Sequence, residues 1–167
     1  MLKTILTTII FLLHSLPTYG NIDGKGIICE CIDCKLNHID PSSYLGYKKP
    51  TEIGFHFNID KVAIYYISKI GDNIKVSENL QTTLRKKKKF NLDQKEIQWT
   101  YKDSLNIYSY ALDRKTLILS KMNITKTKTL NRRSCKAYSE SEFFKNMNLL
   151  SDKYQTYYDK KPNKNKI

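Results

Sequence analysis

Arginine, histidine and glycine are all scarce in this chain of 167 residues, and each scarcity removes a class of function. Only six glycines are present, scattered, and none builds a glycine-rich phosphate loop. Histidine occurs only at His14, His38 and His56, with no H-E-x-x-H run and no Ser-His-Asp order. Closely spaced carboxylate pairs are missing too, so no catalytic constellation is visible and the chain is not read as an enzyme. Arginine appears only at Arg85, Arg114, Arg132 and Arg133, so the net charge of +13 is almost all lysine. Dedicated phosphate readers favour the bidentate fork of arginine. Asn, Ile, Tyr and Phe are abundant alongside Lys and share AT-rich codons with it, so the charge is read first as composition. The long hydrophobic run of a membrane span, about 20 residues, is also lacking.

The longest apolar run, Ile5–Leu13 (ILTTIIFLL), is instead the length of a signal-peptide core. Lys3 supplies the positive start, Pro17 breaks the helix, and Thr18-Tyr19-Gly20 offers small residues at the cleavage positions. The expected organisation is a secretory signal at 1–20, one domain at 21–158, and a charged tail at 159–167. The product is expected to be exported, to the periplasm or beyond, and monomeric.

An exported chain folds where disulfides form, and it carries four cysteines: Cys29, Cys31 and Cys34 close together, and Cys135 far away. On a strand, Cys29 and Cys31 share a face and cannot bond each other without strain. A short bridge, Cys31–Cys34 or Cys29–Cys34, leaves a long bridge from the remaining cysteine to Cys135, tying the first strand to the last. Zinc would need all four as thiolates, and C-x-C-x-x-C is tighter than the paired C-x-x-C units of zinc ribbons. A redox pair needs a helix N-terminus, whereas Cys31-Ile32-Asp33-Cys34 follows an apolar strand and has acidic neighbours. Disulfides are expected, with no metal and no cofactor; a thiolate metal carrier is the remote alternative.

The middle of the chain alternates with period two. Ile53, Phe55 and Phe57 share one face, with His56 on the other. Val62–Ile70 is rich in β-branched and aromatic residues, and Gly71-Asp72-Asn73 reverses the chain into Ile74-Lys75-Val76. Ile97, Trp99 and Tyr101 line a further strand, Leu105–Leu112 another, and Asp113-Arg114-Lys115 turns into 116–119. Lys126–Leu130 alternates Lys with Thr. Seven or so short strands without helical periods between them imply a mainly β fold. It is an antiparallel meander forming a half-barrel, barrel or sandwich. One amphipathic helix follows at about 140–158: Ser139 and Glu142 form a capping box, and Phe143, Met147, Leu150, Tyr154 and Tyr157 recur on one stripe.

Two features could bind something. The run Arg85, Lys86, Lys87, Lys88 and Lys89 could dock on an anionic membrane, lipopolysaccharide or nucleic acid. Among twelve tyrosines, Tyr65, Tyr66, Tyr108 and Tyr110 could line a cavity for a small apolar or anionic ligand. The first function expected is a non-catalytic binding module of the bacterial envelope; a lysine-driven electrostatic module is the second.

The C-x-C-x-x-C start at Gly26–Cys34, the hairpin Tyr110-Ala111-Leu112-Asp113-Arg114-Lys115-Thr116-Leu117, the late Cys135 and the charged tail resemble a loose group of short, exported, functionally uncharacterised bacterial proteins. That resemblance implies export and a four-cysteine framework, and no activity.

Overall fold

The period-two runs fold as strands of one antiparallel sheet, and the stripe at the C-terminus folds as a helix. In this computed structural model residues 24–33, 52–58, 61–78, 90–92, 95–102, 105–126 and 128–160 are described, those at 90–92 and 128–130 by their backbone. The signal segment, Cys34, His38, the run 85–89 and the tail from 161 lie outside them.

The strands are β1 (Lys25–Cys31), β2 (Ile53–Asn58), β3 (Lys61–Ile70), β4 (Asn73–Glu78), β5 (Phe90–Leu92), β6 (Glu96–Lys102), β7 (Ile107–Asp113), β8 (Ile118–Asn123) and β9 (Lys128–Ser139). Helix α1 spans Glu140–Asp159. The sheet runs β4-β3-β2-β1-β9-β8-β7-β6-β5. Two meanders, β1–β4 and β5–β9, therefore meet at a single seam, where β1 pairs with β9.

The sheet is curled. Five strand spacings separate β2 from β6, about 24 Å in a flat sheet. Yet the rings of Phe55 on β2 and Trp99 on β6 are 5.2 Å apart, and Phe57 and Trp99 5.6 Å. The inward set is the alternating one: Ile27, Cys29, Phe55, Phe57, Val62, Ile64, Ile97, Trp99, Leu112 and Leu119 bury together on the concave side. The result is a half-barrel whose order ends at β4 and β5.

The outer face is covered over β1–β4 by α1, through Ile28, Ile67, Ile74, Phe143, Met147 and Tyr154. Two glycines make the fit. A Cβ built on Gly26 would lie 2.2 Å from the Phe143 ring, and one on Gly54 2.8 Å from it. The helix starts as expected: the Ser139 N–H donates to Glu142 Oε2 at 3.0 Å, the returning arm of the capping box. Its buried stripe is Phe143, Met147, Ser151 and Tyr154, with Tyr157 turned to solvent. Ser151 follows Met147 by four residues where the sequence reading placed Leu150; its hydroxyl is satisfied by the Ile74 carbonyl at 2.8 Å. Strand β9 is the longest at 12 residues, because it pairs with β8 along one edge, with a register shift at Leu130, and with β1 along the other.

Candidate functional site

The seam carries the first site residues. Cys29 and Cys135 are direct cross-strand partners and form a disulfide across 106 residues. The Cys135 N–H points away from β1, donating to the Leu117 carbonyl at 2.9 Å. The two cysteines thus occupy a pair without mutual backbone hydrogen bonds, the kind in which side chains approach closest. Cys31 is disulfide-bonded as well, with its partner outside the described residues; Cys34 is the remaining cysteine of the four. Of the two expected long bridges, the one from Cys29 forms. These sulfurs are engaged with each other rather than available as thiolates. The described residues hold no group of three or more metal-ligating side chains. A disulfide at this position is consistent with an oxidising compartment.

Above the seam the half-barrel opens into a mouth. Tyr66, Tyr108 and Tyr110 alternate with outward residues and sit on the concave side, whereas Tyr65 is turned to the outer face under α1. There the Tyr65 ring meets Phe143 and Phe144 at 5.4 and 5.5 Å, and its hydroxyl donates to Glu78 Oε2 at 3.4 Å. Desolvation, then the nearby charge of Glu78, pushes the Tyr65 hydroxyl up to about 12. Three of the four tyrosines thus face the concave side, where Tyr110 lines a small cavity, and the fourth belongs to the helix interface.

Sequence reasoning missed the cations. Lys121 pairs in register with Tyr110 on one side and Asn131 on the other, and Arg133 pairs with Leu119. Register therefore places Lys121, Asn131 and Arg133 on the concave side, where they line a cavity of about 40 Å³ with Ile53, Phe55 and Tyr110. The Lys121 ammonium lies 4.2 Å from the centre of the Tyr108 ring and 5.5 Å from that of Tyr110. Arg133 Nη1 donates to the Cys29 carbonyl at 3.4 Å, which holds the guanidinium over the seam. Acidic strand residues Glu30, Glu78 and Asp113 alternate to the outer side, which also carries Lys69, Lys102 and Lys136.

Beneath the cations the floor is aromatic and packed. Trp99 and Tyr110 stack with centroids 5.3 Å apart and planes within 6°. Tyr101 and Tyr108, paired one rung from the end of β6, stack at 6.0 Å. Burial first, and the neighbouring Tyr66 next, push the Tyr110 hydroxyl well above its ordinary range, against the opposing pull of Arg133. It stays a neutral donor and acceptor at any physiological pH. The buried Trp99 Nε1–H has no hydrogen-bond partner among the described residues.

A larger hollow, about 280 Å³, runs along the flank of α1 between Ile28, Tyr138, Leu149 and Leu150. Of its two carboxylates, Glu30 and Glu52, the second is engaged: Lys153 lies 3.3 Å from Glu52, and the Tyr154 hydroxyl donates to the same group. His56, on the face opposite Phe55 and Phe57, is 5% exposed, because α1 lands on it. It sits 5.3 Å from the Phe144 ring, with Nε2 3.5 Å from Glu140 Oε1. Asp113 does turn chemistry, accepting the N–H groups of Lys115 and Thr116 at 2.9 and 2.8 Å.

The fold is a disulfide-tied, curled antiparallel meander with Lys121, Arg133 and Tyr110 around a small concave cavity. No protein-family model matches the chain, and no curated protein or solved structure is similar to it.

Proposed function

We propose that this chain is a non-catalytic, exported binding module that takes a small anionic group, a carboxylate or a phosphate, at the concave mouth. One observation carries the reading: Lys121 and Arg133 stand on inward strand positions beside Tyr110 and Asn131 around one cavity. Two cations on one concave face concentrate positive potential there, which favours a small anion. Tyr110 and Asn131, which line the same cavity, bring a hydroxyl and an amide, neutral donors suited to oxyanions.

Volume selects the ligand class. Sites for drug-sized molecules enclose about 300 Å³ or more, whereas this mouth offers about 40 Å³. Phe55 and Trp99 fill the space below it. A head group fits, and an apolar molecule swallowed whole does not. The apparent signal segment, the seam disulfide and the resemblance to short exported proteins support a periplasmic or extracellular setting.

The test is titration of the isotopically labelled mature chain with inorganic phosphate, followed by amide chemical shifts. Shifts should concentrate at 119–123 and 131–133, and Lys121→Gln should weaken binding about ten-fold, the equivalent of 1.4 kcal/mol. Shifts spread over all exposed lysines, or an unchanged affinity in Lys121→Gln, would refute the mouth as the site. Binding abolished only by replacing Lys86 to Lys89 with Gln would move the function to the lysine run.

A further inference from the structure

The end of the half-barrel at which the mouth opens also turns apolar side chains to water. Leu105 is 82% exposed, Ile124 45%, Met122 43% and Ile107 38%. Ile107, Met122 and Ile124 are neighbours through the β7–β8 pairing, and Leu105 precedes Ile107 by two residues. Ile107 opens β7 opposite Lys102, and the Ile124 N–H donates to the Ile107 carbonyl at 2.8 Å. Met122 stands opposite Ser109, the outward residue two past Ile107. Since Tyr101 and Tyr108 face inward, Lys102 and Ile107 face outward, on the part of the sheet that α1 leaves uncovered.

The same few rungs carry the mouth. Tyr101–Tyr108 is the rung next to Lys102–Ile107, and Tyr110–Lys121 lies two further on. A cationic opening and an apolar tip thus share one end of the molecule, with Lys102 and Lys126 exposed beside the tip. Scattered exposed apolar residues are ordinary, but a contiguous group rimmed by cations marks a contact surface. Apolar tip, flanking lysines and an oxyanion-sized opening together match one occupant, the interface of an anionic bilayer.

We propose that this end docks on an anionic lipid surface. Leu105, Ile107, Met122 and Ile124 enter the boundary between head groups and acyl chains, and Lys102 and Lys126 meet the surface charge. Lys121 and Arg133 receive a head-group phosphate in the mouth. The head-group contact rests on the anion-binding reading above; the docking contact rests on the exposed tip.

The experiment uses the full mature chain with its disulfides intact, sedimented with vesicles of phosphatidylcholine alone or mixed with phosphatidylglycerol. Free glycerol phosphate, followed by amide shifts, is the soluble control. Binding is expected on the anionic vesicles only, and Ile107→Ser/Ile124→Ser should weaken it about ten-fold or more while leaving the glycerol phosphate shifts unchanged. Lys121→Gln should weaken both. Unfolding curves of each variant check that these exposed positions leave the fold intact. Equal binding to both vesicle types overturns the proposal. So does vesicle binding that ignores Ile107 and Ile124 and disappears when Lys86 to Lys89 become Gln. If glycerol phosphate binds at the mouth and vesicles do not, docking is wrong and the mouth reading survives. If vesicle binding follows Ile107 and Ile124 but neither readout responds to Lys121, the head-group contact is refuted.

Discussion

Replacing Gly26 with Ala should be among the most damaging single-methyl changes in the molecule. The added Cβ would lie 2.2 Å from Cδ2 and Cγ of Phe143 and 2.7 Å from its Cβ. Carbon atoms pack best at about 3.5–4.0 Å, so the ring must retreat by more than an ångström. Phe143 is fully buried, one turn into α1, and two of the three close atoms belong to the root of its side chain. A rotamer change moves Cγ and the ring but leaves the Cβ contact at 2.7 Å, so the helix itself must lift from β1 and β2. Overpacking of this kind costs about 1–3 kcal/mol, and the need to move a helix puts Gly26→Ala at the top of that range. The entropy gain of replacing Gly in a strand, about 0.5–1 kcal/mol, offsets only part of it.

The assay is a double-mutant cycle by urea unfolding at constant m, disulfides intact. Phe143→Ala alone should cost about 3–5 kcal/mol. In that background Gly26→Ala should be nearly neutral or slightly stabilising, because the obstructing ring is gone. The coupling between the two sites should therefore be about 1–3 kcal/mol. Additive effects would show that the glycine does not seat the phenylalanine, and the reasoning would fail. Gly54→Ala should be milder, since its close atoms are the ring tip at 2.8 Å and the flexible Met147 sulfur at 2.9 Å.

Ser151→Ala should cost about 1–3 kcal/mol in the same assay, because it orphans the Ile74 carbonyl under the helix; an unchanged midpoint would refute the buried bond. The Tyr65 hydroxyl, held at about 12, keeps its proton in the folded chain between pH 10 and 12 while the unfolded chain loses it. Stability from this group is complete below pH 10 and falls as pH rises toward 12. Tyr65→Phe should make that alkaline limb shallower, and ultraviolet titration of phenolate should show at least two tyrosines fewer, Tyr65 and Tyr110, ionising near pH 11 than in the unfolded chain. Glu142, held below its ordinary range by the Ser139 hydroxyl and then the Ser139 N–H, works in the opposite sense. It stabilises above the unfolded carboxylate range and fades as pH falls through its own folded value, so Glu142→Gln should shallow the acid limb. Removing the seam disulfide as Cys29→Ala/Cys135→Ala should lower stability by up to about 4–5 kcal/mol on the chain-entropy model for so long a loop. Intact mass with alkylation should meanwhile find four protected thiols in the native protein.

What the sequence revealed and what it hid divide along a physical line. Hairpins are local, so alternation plus Gly71 and Asp113 exposed most strands, and the stripe from Phe143 exposed the helix. Curling is non-local. Tyr65 and Tyr66 look alike in a run of nine residues, yet one packs beneath α1 and the other faces the mouth, because adjacent strand residues fall on opposite faces. Lys121 and Arg133 read as ordinary surface charge, since they are flanked by Ser120, Met122, Arg132 and Ser134, which carry no strong alternation. Their inward placement could have been found only by extending the register from Leu119 and Cys135, both apolar and both two residues away. Gly26 and Gly54 carried no signal at all: nothing in a strand pattern says that a helix more than 85 residues later will press an aromatic ring on each.

The seam explains why a disulfide sits where it does. Every other pairing in the sheet except this one joins strands that follow each other in the chain. Such pairs close loops of two to four residues, or of 21 between β1 and β2, and their entropic cost is paid in sequence. The β1–β9 pairing alone must be found across 106 residues, and without it the two meanders share no ladder. Loop-closure cost rises with loop length, so a crosslink placed at this pairing relieves the largest single entropic obstacle in the fold, and one placed within any hairpin would relieve the least. The same crosslink fixes the Cys29 carbonyl that Arg133 grips. Scaffold and mouth are thus tied together at one rung. Loosening the seam should therefore reach the mouth first: reduction of Cys29–Cys135 is expected to free Arg133 and weaken anion binding before the hairpins of either meander lose their amide protection.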